Sequence, residues 1–104
     1  MKKLTYMQFF HECGNCLFRS ELPEWQVIRE VLREDLIRRE KESEPRGTVG
    51  VFDDLCEGKY AGYIARDRFM SIRTVYKTRE SLTYDGMILA AQLGIISLNK
   101  RTIH

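Results

Sequence analysis

Proline is scarce in this 104-residue chain, with only Pro23 and Pro45. Pro23 falls where the first turn of a helix tolerates it, and Pro45 with Gly47 makes "EPRG" the one clear break. Long apolar runs are missing too: nothing approaches the roughly 18 consecutive apolar residues of a membrane span. The opening "MKKLTYMQFFHECGNC" is interrupted by Gln8, His11 and Glu12 and lacks a signal peptide's apolar region, so no membrane partner and a cytoplasmic location are expected. Cysteines number three, an odd count that argues against a disulfide framework and fits a reducing compartment. The only histidines are His11 and His104, and no sequence pattern sets either beside an acid and a nucleophile. No glycine-rich phosphate loop is present. These absences lead to the expectation of a protein that is not an enzyme and needs no cofactor.

The stretch "HECGNC" does bring together residue types that bind zinc, because His11, Cys13 and Cys16, with Cys56 folded nearby, make four ligands. Cys-x-x-Cys occurs once, without a second pair, so buried and inert cysteines on a helix are the preferred reading and no metal is expected.

What the chain has is enough apolar and aromatic content, 43% and 11%, for one packed interior, and enough charge, 31%, for a well-solvated surface. The net charge of +2 is unevenly divided. Residues 1–44 carry 8 Lys and Arg against 9 Asp and Glu, whereas residues 45–104 carry 9 against 6. Between Lys59 and Arg79 there are six basic residues and one acid, Asp67.

Periodicity supplies the elements. "TYMQFFHECGNCLFRS" places Tyr6, Phe9, Phe10, Cys13 and Phe18 at helical spacing, weakened by Gly14 and Asn15. The next helix is stronger: Ser20 or Glu21 caps it, and Trp25, Ile28, Val31, Leu32, Leu36 and Ile37 form one apolar stripe. Beyond Ile37, "RREKESE" has nothing apolar, so the helix there projects into water or meets another chain. Further on, Met87, Ile88, Leu89, Ala90, Ala91 and Leu93 read as a short buried helix that stops at Gly94.

The basic stretch admits two readings. "SIRTVYKT" alternates in the manner of a strand, but a hairpin turning at Met70-Ser71 needs Gly, Asn or Asp at positive φ, and none is there. A helix, a turn and a second helix fits with fewer exceptions. Ser71 caps a helix starting at Ile72, with Ile64, Ala65, Phe69, Val75 and Leu82 pointing inward, and Arg73, Thr74, Tyr76, Lys77 and Glu80 pointing out.

In that arrangement "VFDDLCEGKYAGYIARDRFMSIRTVYKTRESL" resembles the helix-turn-helix DNA-binding domain of LuxR/FixJ-type response regulators. The matching places are Val51, Phe52, Leu55, Gly58, Ile64, Ala65, Ser71, Thr74, Val75, Arg79 and Leu82, without insertion or deletion, over about a third of the chain. The chain departs from the family in "EPRGTVG", where a Leu-Thr-Pro-Arg-Glu-like start is usual. It also has Arg68 at a normally apolar position, and a last helix that falls several residues early although Gly94, Ile95 and Ile96 echo the family's ending.

The resemblance implies that the helix of residues 72–82 enters the major groove, with Tyr76, Lys77 and Glu80 at base edges and Arg73, Thr74 and Arg79 on the backbone. Lys59, at the start of the preceding helix, is expected to add a phosphate contact. The expected fold is mainly α: a small helical domain with a helix-turn-helix unit at 45–104 and an N-terminal helical hairpin or arm at 1–44 for dimerisation or docking. The expected function is a small DNA-binding transcriptional regulator whose partners are double-stranded DNA and, through the helix at 23–43, a second copy or another protein. The alternative is a small protein-binding adaptor or inhibitor of a larger regulatory protein, which uses the charged helix and the Tyr6, Phe9, Phe10 patch.

Overall fold

The computed structural model describes residues 4–42 and 47–104. Its elements are α1 (Tyr6–Arg19), α2 (Pro23–Glu42), α3 (Thr48–Cys56), α4 (Ala61–Asp67), α5 (Ile72–Gln92), β1 (Ile96–Ser97) and β2 (Thr102–Ile103). The protein is thus mainly helical, as the periodicity implied. Most of the expected break at 44–47 lies outside the described residues; Gly47 itself is left-handed (φ 71°) and leads into α3.

Each helix begins or ends on chemistry that its sequence carries. At the start of α1, Thr5 Oγ1 accepts from the Gln8 amide and Gln8 Oε1 accepts from the Thr5 amide, a reciprocal cap for two otherwise unpaired donors. Its last carbonyls are served from α2: Arg29 donates to Leu17 O at 2.9 Å and to Ser20 O at 2.6 Å. A cation there also opposes the negative end of the helix dipole. Glu40, late in α2, accepts from the Val49 amide at 3.1 Å and so serves the start of α3 in the complementary sense. Gly58 and Gly94, at φ 82° and 75°, close α3 and α5 in the left-handed conformation that glycine tolerates best.

The core is one cluster to which every helix contributes. Trp25, Ile28, Leu32 and Leu36 of α2 face it, so most of the α2 stripe is used inside the chain. Val31 differs from expectation: it is 42% exposed, on the flank of the stripe beside Val27. Phe9, Cys13 and Leu17 of α1 pack toward α5, and Phe18 meets Phe52 of α3 with ring centroids 6.1 Å apart. Full burial of an aliphatic side chain of this size contributes about 1.5–3 kcal/mol, so this shared core is what fixes α5 in place.

The expected separate helix at 87–93 does not exist as such, because α5 runs unbroken from Ile72 to Gln92. Gly86 does not break it. It lies where α5 passes closest to α1, and a Cβ there would stand 2.8 Å from Leu17 Cδ2. After Gly94, β1 and β2 pair antiparallel, Ile96 with Ile103 and Ser97 with Thr102, and Ile96 is buried.

Candidate nucleic-acid interface

The unit of interest is α4, four connecting residues and the first half of α5. α4 ends by donating the Phe69 amide to Arg66 O (3.4 Å) and the Met70 amide to Ala65 O (3.0 Å), the paired bonds of a Schellman ending. That ending requires a left-handed residue, and Phe69 supplies it at φ 54°. A residue in this position turns its side chain away from the helix, so Phe69 is 97% exposed rather than part of the core, contrary to the sequence reading. Two residues later Ser71 Oγ accepts from the Thr74 amide at 3.1 Å, and the chain is committed to α5.

Val75 and Leu82 anchor α5, at 0% and 1% exposure. With about 100° of rotation per residue, Arg73, Lys77, Glu80 and Tyr84 fall on one outward ridge. Thr74 and Tyr76 stand on opposite flanks of it. All six are exposed. The hydroxyls of Ser71 and Thr74 lie 2.8 Å apart, which fixes Thr74 at the mouth of the turn.

The two other residues expected to touch DNA have different surroundings. Lys59 Nζ is 3.1 Å from Asp54 Oδ1 and 3.2 Å from Glu57 Oε2, so its charge is already matched. Arg79 turns inward over α1: its guanidinium lies 5.3 Å from the Phe18 ring centroid. Gly14 lies alongside it: a Cβ there would stand in ordinary contact, 3.4 Å, with both Arg79 Nη atoms. The cause in each case is a partner distant in sequence. No periodic pattern shows that Asp54 is buried or that Phe18 of α1 takes an arginine from α5 over its ring.

Arg68, the departure from the family pattern, is also explained. Its Nε donates to Asp54 Oδ2 at 2.6 Å, and the bonds from Arg68 hold the Asp54 carboxyl below the usual carboxylate range, against the opposing effect of burial. Of the six cations between Lys59 and Arg79, two therefore serve Asp54 and one faces α1. Arg66, Arg73 and Lys77 remain exposed, with no carboxylate within 4.0 Å among the described residues.

The zinc-type residues are not gathered: no group of three or more His, Cys, Asp or Glu converges among the described residues. Burial pushes the Cys13 thiol up to about 12 and the Cys56 thiol up to about 11, which disfavours the thiolate that a metal or an electrophile needs. No helix among the described residues is long and apolar enough to cross a membrane.

Comparison of the chain with protein-family models, with curated proteins and with solved structures finds no match in any of the three.

Proposed function

We propose that the protein is a small cytoplasmic DNA-binding regulator of transcription that acts by binding, without catalysis, and lays the first half of α5 in the major groove. One observation supports this reading above all: Arg73, Tyr76 and Lys77 are exposed around a rigid helix that begins at a four-residue turn after α4. In this reading Tyr76, Lys77 and Glu80 address base edges, and Arg73 with Thr74 holds the phosphate backbone. Arg66 adds positive potential along the approach. A single such unit binds weakly, and two-fold pairing supplies a second half-site. Val27 and Val31, exposed on the flank of the α2 stripe, suit a place in that pairing.

The test is fluorescence anisotropy with a labelled random-sequence duplex over a series of salt concentrations. The proposal expects weak binding that falls steeply with salt, a log–log slope about 0.9 shallower in Arg73→Ala for one lost phosphate contact, and reduced affinity in Lys77→Ala, whose contacts are to bases. Negligible binding at moderate salt favours the adaptor reading instead.

A further inference from the structure

Beside α5, on the side away from the Thr74 flank, lies a recess of about 210 Å³ whose walls include Phe18, Arg19, Lys59, Tyr60, Tyr76 and Arg79. No carboxylate lines it. We infer that this recess is a binding site for a phosphate-class oxyanion, held between the Arg79 and Arg19 guanidiniums with Tyr60 and Tyr76 at its mouth.

Arg79 carries the inference. Its guanidinium lies over the Phe18 ring, 5.3 Å from the centroid, and next to Gly14 of α1, so it is held against α1 at the floor of the recess. Yet among the described residues none of its N–H groups has a hydrogen-bond acceptor, and no carboxylate lies within 4.0 Å. Burial and the neighbouring charge of Arg19 both work against its protonated form. A half-buried cation beside a second cation is unfavourable unless an anion completes the group. Arg29, Arg33, Arg39 and Arg68 have carbonyl or carboxylate partners in this same chain, whereas Arg79, half-buried over the Phe18 ring, has neither among the described residues.

The chemistry of the walls selects the ligand. A guanidinium offers parallel N–H donors that match two oxygens of a tetrahedral oxyanion, and the tyrosine hydroxyls add neutral donors. Lys59 is shared with Asp54 and Glu57, so the unmatched charge of the recess is that of the two arginines, a good complement for a dianion. The volume suits a phosphate group and the first atoms of its ester. Such a group comes from a free phosphorylated molecule or from a nucleic-acid backbone. The inference does not depend on whether α5 reads DNA.

The probe is inorganic phosphate, titrated at millimolar concentration and constant ionic strength, with amide NMR shifts and calorimetry as readouts. Binding is expected, with shifts concentrated at Gly58, Tyr60 and Ala61, and a loss of tenfold or more in affinity in Arg79→Gln. Arg19→Gln is an exposed change that leaves the core intact. It should weaken phosphate several-fold and decides the question alone if Arg79→Gln does not fold. Repetition with a saturating duplex separates the sources: phosphate that still binds marks a site for a free ligand, and displaced phosphate marks a backbone contact. Absence of phosphate binding to the native chain, or equal affinity in Arg19→Gln and a folded Arg79→Gln, overturns the inference.

Discussion

Arg68 and Asp54 are joined across the α3–α4 corner, Nε to Oδ2 at 2.6 Å, and the guanidinium rests over Gly50 where any Cβ would overlap it. Asp54 is 4% exposed and takes its second cation from Lys59. This pair ties the end of α4 to α3, directly before the turn that leads into α5.

Arg68→Leu, which restores the apolar residue usual in the resembled family, removes the nearer of the two partners of Asp54. The expected cost is about 1–3 kcal/mol at pH 7, because a buried acceptor is left short of donors. The native carboxyl titrates below its unfolded value, so its stabilising contribution is complete above about pH 4 and fades as pH falls through the depressed folded value. Urea denaturation at a series of pH values should therefore show the gap between native protein and variant closing in acid. A gap that widens in acid contradicts the assignment.

Phe69 sits at φ 54° with its ring in water, so it bears backbone strain with no burial to offset it. A left-handed conformation costs an L-residue roughly 1–2 kcal/mol, part of which glycine recovers despite its greater unfolded freedom. Phe69→Gly should raise stability by about 0.5 kcal/mol, and Phe69→Val should lower it. Thermal denaturation distinguishes them. A large loss in Phe69→Gly would mean the ring is covered in solution.

Gly86 and Gly62 both lie inside helices and should respond in opposite directions to alanine. At Gly86 the new Cβ meets Leu17 Cδ2 at 2.8 Å within the core, and overpacking of about 1–3 kcal/mol outweighs the gain in helix propensity. At Gly62 the nearest atom is Ile72 Cδ1 at 4.0 Å, and the substitution should stabilise by about 0.5 kcal/mol. Equal changes at both sites would count against the α1–α5 approach described above.

Much of this architecture is legible in the sequence where the signal is local. The Ser71 cap, the Trp25 to Leu36 stripe apart from Val31, and the stop at Gly94 depend on residues within a turn or two of each other, and they occur as the sequence implies. Where the signal is long-range the reading falls short. Residues 87–93 read as a separate short helix, whereas α5 runs on through Gly86, which answers to Leu17 nearly seventy positions earlier. The apolar character of Phe69 points to the core, whereas the geometry of the α4 ending turns it out. Lys59 and Arg79 are basic residues in a basic run, and only the folded positions of Asp54 and Phe18 separate them from Arg73 and Lys77. The exposure of the ridge is legible in the sequence. The composition of the recess beside it is not.

The central claim, that the first half of α5 is the surface that meets DNA, is tested most directly by mapping amide shifts as a short random-sequence duplex is added at low salt. The account predicts the largest changes from Ser71 to Tyr84 and near the start of α4, with affinity reduced in both Arg73→Ala and Lys77→Ala. Changes confined to the Val27 and Val31 side of α2, or no changes at all, contradict it.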